Sequence, residues 1–210
     1  MYHLEIFKDK DQTQLLDFMH QHPFALITGV SSLQTPVATQ VPVLVKPRAD
    51  GLYLQAHIMK HTDHHLAFEQ NPEVLVVFTG ADTYVSASWY VNPQQASTWN
   101  YQSVHARGTL RFLNDAELLQ VLEETTTRFE NNPNSPAAFN RLSENYVQRL
   151  SRAIIALEIK VTALDHIFKL SQNRDRQSFE NIIGHLEQGN ANQQAIAQAM
   201  QQRKETLYGT

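Results

Sequence analysis

Apolar and polar positions along this chain follow two periods, and the switches between them mark out its elements. Residues 11–20 place Leu15, Leu16, Phe18 and Met19 on one side of a short helix that Asp11 can cap. His22-Pro23 ends it, and residues 24–30 read as a strand. Ser31, Ser32 and Gln34 supply turn chemistry before a second strand over 35–45, where Pro36 and Pro42 call for an edge, a bulge or a bend. Asp50-Gly51 signals a two-residue hairpin into a strand over 52–57. A helix over 62–70, with Leu66 and Phe68 inward, stops at Asn71-Pro72.

The second half repeats the alternation. Residues 74–79 form a buried strand, 84–86 a further short one, and 92–97 a polar loop. Val104, Ala106, Gly108, Leu110 and Phe112 alternate along a long strand over 99–113. Leu118, Leu119, Val121 and Leu122 give a helix over 116–130 its apolar side. After a loop at 131–136 and a helical turn at 146–152, Ile155, Leu157, Ile159 and Val161 alternate with Ala156, Glu158 and Lys160 in a last strand over 153–162. Two helices, over 177–188 and 192–204, split at Gly189-Asn190. Six or seven strands, several joined by hairpins, predict a mainly β protein with flanking helices (α+β), its antiparallel sheet closed or nearly closed into a barrel. The strands follow too closely for repeated βαβ units.

Composition narrows the chemistry. The 210 residues hold no cysteine, which excludes disulfides, thiolate metal sites and cysteine nucleophiles. The formal net charge is −4 and no long basic run occurs, so DNA binding would require the few cations to gather on one face. The opening Met1-Tyr2-His3-Leu4-Glu5 lacks a signal pattern, and no apolar stretch is long enough to span a bilayer. A soluble cytoplasmic protein is expected. No serine triad, glycosidase carboxylate pair or dinucleotide fingerprint is present, and no catalytic acid or base stands out.

Five stretches can carry chemistry. Leu54-Gln55-Ala56-His57-Ile58-Met59-Lys60 runs from a strand to a cation to a helix start, which suits a phosphate but also describes a solvated lysine. His57, His61, His64 and His65 include i,i+4 pairs with Asp63 nearby, yet no HExxH; hydrogen-bonded histidines are expected rather than a metal. Tyr84, Ser86, Ser88, Trp89, Tyr90, Thr98, Trp99, Asn100 and Tyr101 combine aromatic faces with directed polar groups, fit for a planar heteroaromatic ligand or for packing. Lys169-Leu170-Ser171-Gln172-Asn173-Arg174 is a loop able to close over a ligand, or a surface segment opening a helix. The last two helices read either as a helix-turn-helix, with Gln193, Gln194, Gln198, Gln202, Arg203 and Lys204 facing DNA, or as a hairpin packed through Ile182, Ile183, Leu186, Ile196 and Met200.

Seven motifs occur in an order that resembles the PaiB family: His22-Pro23-Phe24, Ala38-Thr39-Gln40-Val41-Pro42, His57-Ile58-Met59-Lys60, Phe78-Thr79-Gly80, Ser86-Ala87-Ser88-Trp89-Tyr90, Thr98-Trp99-Asn100-Tyr101 with Val104-His105-Ala106, and Lys169-Leu170-Ser171-Gln172-Asn173-Arg174. The resemblance covers nearly the whole chain. It implies an FMN-binding split barrel over residues 1–170, as in pyridoxamine 5′-phosphate oxidase and flavin reductases, and a helical hairpin over 171–210 packed on the barrel or on a partner subunit. It implies a homodimer with FMN at the subunit interface, acting as a negative transcriptional regulator that binds DNA or senses flavin, or else as an FMN-dependent oxidoreductase. By the same resemblance His57 and Lys60 hold the flavin phosphate, and Ala38, Thr39, Gln40, Val41 and Pro42 run along the isoalloxazine. Trp99 and Asn100 approach from across the dimer, and Lys169, Ser171, Gln172, Asn173 and Arg174 close the site. The chain departs from the family in having Gln40 for His, Lys60 for Arg, and Thr62-Asp63 for Asn-Pro. Lysine keeps the charge of arginine but loses its bidentate fork.

Overall fold

The computed structural model describes residues 4–9 and 11–209; Met1–His3, part of the opening segment read above, lie outside the described residues. Helix α1, Gln12–Gln21, starts where Asp11 Oδ1 accepts the Thr13 N–H at 2.9 Å. Seven strands follow in chain order: β1 Phe24–Val30, β2 Pro36–Pro42, β3 Leu44–Arg48, β4 Gly51–Met59, β5 Glu73–Val85, β6 Thr98–Phe112 and β7 Ile154–Lys169. They form one sheet in the order β2-β1-β5-β6-β7-β4-β3, with antiparallel pairing of β1 to β2 and β5, and of β4 to β3 and β7. The helices are α2 Asp63–Gln70, α3 Asp115–Glu130, α4 Glu144–Ser151, α5 Arg176–Glu187, α6 Ala191–Gln201 and α7 Lys204–Tyr208. An antiparallel sheet with flanking helices is what the alternation predicts. No helix among the described residues is long and apolar enough to cross a membrane.

Several boundaries differ from the sequence reading, each for a physical reason. The strand expected over 35–45 is two, β2 and β3, broken at Val43. Val43 N–H leaves the ladder and donates to Pro23 O at 2.8 Å. Pro36 and Pro42 bound β2, and β2 is an edge, where a residue without N–H is tolerated. Arg48 pairs with Gly51, so the hairpin turn is Ala49-Asp50, one residue earlier than expected. Residues 84–86 are not a separate strand; β5 runs on to Val85. The last strand extends seven residues past 162, to Lys169. Leu66 is 46% exposed, while His65 is only 4% exposed. With Thr62 as N-cap, the helical period turns His65 and Phe68 inward together. Leu119 likewise faces out, and Leu118 and Val121 face in. The helix expected over 192–204 ends at Gln201, and Lys204 begins α7.

The chain forms two compact units. One comprises Met19–Phe78 and His105–Leu164. Its core includes Leu44, Leu113, Leu118, Val121 and Ala156, with Leu122 and Ile154 packed against them. Burying each such Leu or Val side chain contributes about 1.5–3 kcal/mol. The other comprises Thr79–Val104 with the described parts of Met1–Phe18 and Asp165–Thr210. There α5 buries Phe179, Ile182 and Leu186, and α6 buries Ile196 and Met200. Asn190 and Gln193 form a reciprocal capping box that starts α6 sharply after α5. Strands β5, β6 and β7 supply residues to both units.

Candidate functional site

In the first unit the sequence-selected residues lie on two elements. β4 ends at Met59, Lys60 N–H donates to Ala153 O at 2.9 Å, and α2 begins three residues later. His61, between them, holds a left-handed φ of 63° that turns the chain into the helix. Thr62 caps α2, its hydroxyl oxygen accepting the His65 N–H at 3.3 Å. Lys60 is partly buried and precedes the first residue of α2, Asp63, by three positions. His57 lies three residues before Lys60, paired in register with Ala156 and half-buried. Burial holds its imidazole below the usual histidine range, so it is neutral at pH 7. Ala38 and Gln40 are exposed on one face of β2, while Thr39 alternates to the other, with Val41 and Pro42 half-buried beyond. β2 is an edge of the sheet, and among the described residues no strand follows it on its outer side in the sheet order.

Among the described residues no group of three His, Cys, Asp or Glu, those of the histidine cluster included, is placed to hold an ion. His64 bonds to Thr62 and Asp63 instead, and His65 packs its ring 5.0 Å from that of Phe112.

In the second unit the aromatic stretch and the Lys169–Arg174 segment converge. Lys169 Nζ donates to Thr98 Oγ1 and, at 3.0 Å, to Trp99 O. Arg174 donates to Gln95 Oε1, the Tyr90 hydroxyl and Ala96 O, and its guanidinium lies 4.1 Å from the centre of the Tyr90 ring. Burial, and then the positive charge of Arg174, push the Lys169 ammonium below its ordinary value. Between the two cations the chain turns inward. Ser171 adopts a left-handed φ of 63° and donates its hydroxyl to Asn100 Oδ1 at 3.0 Å. Gln172 bonds the backbone of Leu170 and Phe168. Asn100, Ser171 and Gln172 are thus buried and held inside the unit, whereas Asn173 is exposed. Trp99 is half-exposed, edge-on to Tyr84 with ring centres 6.1 Å apart.

A cluster that the sequence reading missed lines a polar cleft of about 470 Å³ in the first unit. Glu158, buried on β7, accepts from Arg48 at 2.5 Å, Gln55 at 2.8 Å, and Arg111 through Nε at 3.0 Å and Nη2 at 2.7 Å. Burial raises the pKa of its carboxyl, but the hydrogen bonds from Arg48, Arg111 and Gln55 outweigh this and hold it below the ordinary range. The only local signal is a Glu on the polar face of an alternating strand; its partners lie 47 to 110 residues away in the chain.

The helix pair proposed to read DNA has its cations committed. Arg203 pairs with Asp9 at 3.2 Å and Lys204 with Glu180 at 3.0 Å. Gln194 and Gln198 remain exposed on α6.

The model of the family described as "Putative FMN-binding domain" matches residues 1–163. The chain belongs to this family. This member of the FMN-binding domain family is also 28% identical to Protease synthase and sporulation protein PAI 2 of Bacillus subtilis (strain 168), over 97% of this chain and 98% of that protein. The match bears out the resemblance to the PaiB family. Among solved structures, the FAD and heme binding protein from Mycobacterium smegmatis superposes with a TM-score of 0.57 at 20% identity, covering 77% of this chain and 72% of its own. The flavocytochrome Anf3 from Azotobacter vinelandii gives 0.54 at 14% identity, covering 76% and 68%. These likenesses establish the fold that this family member shares with them.

Proposed function

We propose that this protein binds flavin mononucleotide as a cytoplasmic homodimer and acts as a PaiB-type regulator or flavin sensor. The observation that carries the reading is the match of the FMN-binding domain family over residues 1–163. The flavin phosphate sits at Lys60 and the start of α2, beside neutral His57. The edge backbone of Ala38–Pro42 lies along the ring system, which needs directed polar groups on a largely apolar surface. Trp99 comes from the second copy, and Lys169, Asn173 and Arg174 close the site. Asn100, Ser171 and Gln172 act by positioning that closing segment, since their own polar groups are bonded internally. A cysteine-free composition supports the cytoplasmic setting.

Bound flavin supplies electron chemistry when present; the residues named here bind and orient it. Adding FMN to the purified protein should shift and structure the visible flavin band, and Lys60→Gln should weaken binding about tenfold or more. An unchanged FMN spectrum at saturating protein would refute the reading. Sedimentation should give a mass twice that of the 24.0 kDa chain.

Redox use of the flavin is the second reading. It is favoured by the ion pairs of Arg203 and Lys204, which withdraw two cations of the helix pair from DNA phosphates. A gel shift on the protein's own upstream DNA separates the two: binding supports regulation, and its absence together with NADH- or NADPH-driven bleaching of the flavin supports an oxidoreductase.

A further inference from the structure

The polar cleft around Glu158 lies within one unit and has two unlike sides. The sheet side carries Lys46 and Arg48 on β3, Gln55 on β4, Arg111 on β6 and Glu158 on β7. The helix side carries Glu117, Gln120, Val121 and Glu124 on α3. Among these lining residues, three cations stand with one carboxylate on the sheet, and two carboxylates stand without a cation on the helix. Glu158 is buried and engages Arg48 through Nη2 and Arg111 through Nε and Nη2. Nη1 of each arginine has no hydrogen-bond partner among the described residues. The Arg48 guanidinium is further set in place by the Tyr53 ring, 4.1 Å from its centre. Asp50 is taken up by the Tyr53 hydroxyl at 2.6 Å and by Lys160 at 3.7 Å. On the helix, Glu117 accepts from Arg111 at 3.3 Å and from the Asn114 N–H at 2.9 Å, which uses both its oxygens. Glu124 accepts from Lys46 through Oε1, and its Oε2 has no hydrogen-bond partner among the described residues.

This distribution of charge selects a class of ligand. A cleft of about 470 Å³ suits a small molecule. Val121 is the one apolar side chain among its lining residues, so an apolar ligand would gain little there. A plain anion would meet Glu117 and Glu124 across the cleft, and a plain cation would meet the arginines. A molecule with a carboxylate at one end and an ammonium at the other complements both sides at once. The Lys46–Glu124 and Arg111–Glu117 pairs that join the sides are partly solvent-exposed, and such pairs contribute little and yield to a ligand. Buried Glu158, by contrast, keeps both guanidinium groups oriented before any ligand arrives. We propose that this cleft binds a small polar zwitterion, a free α-amino acid, its carboxylate held by Nη1 of Arg48 and of Arg111 and its ammonium by Glu124. None of these residues belongs to the flavin site proposed above, so amino-acid binding and flavin binding stand or fall separately.

The test titrates the full-length protein with L-serine and L-glutamine by calorimetry at constant ionic strength. The titration is repeated with N-acetyl-L-serine, which lacks the ammonium, and with L-serinamide, which lacks the carboxylate. Both amino acids should bind, and each blocked form should bind about tenfold or more weaker than L-serine. Arg48→Gln should weaken L-serine about tenfold or more and remove the preference for it over L-serinamide. Arg48→Lys, which keeps the charge and loses the fork, should retain part of the affinity. Glu124→Gln should remove the preference for L-serine over N-acetyl-L-serine; its side chain is half-exposed, so this variant keeps the fold and reads recognition alone. Absence of binding by both amino acids would overturn the inference. So would equal affinity for L-serine and either blocked form, or wild-type affinity and preference in Arg48→Gln or in Glu124→Gln.

Discussion

Ser171 and Asn100, 71 residues apart in the chain, meet through a buried hydrogen bond of 3.0 Å that ties the end of β7 to β6. Asn100 completes its bonding with a 3.5 Å contact from Nδ2 to Met200 Sδ on α6. One amide therefore links the strand that carries Trp99, the turn between Lys169 and Arg174, and the C-terminal helices. Ser171→Ala leaves Asn100 Oδ1 buried without this donor. It should cost about 1–3 kcal/mol of stability in urea unfolding. A variant as stable as wild type would show that the bond is dispensable. Ser171→Gly removes the same bond but relieves the left-handed φ, and should be the milder of the two.

Gly108 on β6 lies against β7 with no room for a side chain. A Cβ there would stand 2.4 Å from Lys160 O, a backbone atom that cannot swing away. Gly108→Ala should destabilise by about 1–3 kcal/mol or more, as overpacking does. At Gly29 the obstruction is the Phe68 ring at 2.8 Å, a side chain with some freedom to adjust. Gly29→Ala should therefore cost less than Gly108→Ala. Equal denaturation midpoints for wild type and Gly108→Ala would contradict the packing described.

Glu158 is held by two arginines that themselves reach solvent. Glu158→Gln would keep the shape but leave both guanidinium groups facing a neutral amide in a half-buried cleft. The loss should be about 1–3 kcal/mol, less than for a fully buried pair because Arg48 and Arg111 can rehydrate. Its carboxyl has a lowered pKa in the folded protein, so its contribution is complete above the unfolded carboxyl pKa and is lost as pH falls through the folded value. The pH dependence of urea midpoints below about pH 4.5 should accordingly be shallower in Glu158→Gln than in wild type.

Among the described residues, His22, His57 and His166 are held below the ordinary histidine range. Burial lowers His22 and His57; at His166 burial comes first, and the charge of Lys8 adds to it. His166 Nε2 accepts the Asp9 N–H at 2.7 Å, a bond available only to the neutral ring. Lys8, Asp9 and Asp165 flank that ring, and Arg203 pairs with Asp9. A histidine with a lowered folded pKa favours folding above its unfolded pKa, and this stability drains away as pH falls from about 6.5 toward the folded value. Urea midpoints should drop between pH 7.5 and pH 5. Hydrogen exchange at the Asp9 amide should accelerate over the same range. His166→Asn removes its own contribution and should flatten the profile; a midpoint independent of pH in wild type would disprove this account.

The strands and helices were legible because their causes are local. Alternation placed β6 and most of β7, Asp11 announced a helix start, and the prolines at 36 and 42 called for an edge, a bulge or a bend, of which the structure shows the edge. The boundaries that moved were those set by distant partners. Val43 breaks a strand because Pro23 O takes its N–H, and Leu66 faces out because the cap at Thr62 sets the helical phase.

For the candidate site the division is sharper. Composition and order of residues by themselves determined which side chains were at hand: a lysine between strand and helix, aromatic residues near amides, two cations around a Ser-Gln-Asn turn. Only the tertiary structure decided that Asn100, Ser171 and Gln172 turn inward while Lys169 and Arg174 converge on residues 95–99, and that Glu158 sits buried between Arg48 and Arg111. Periodicity reports which face a residue occupies. Whether a polar group on that face meets water, a partner or a ligand depends on chain segments dozens of residues away, and no local pattern encodes their arrival.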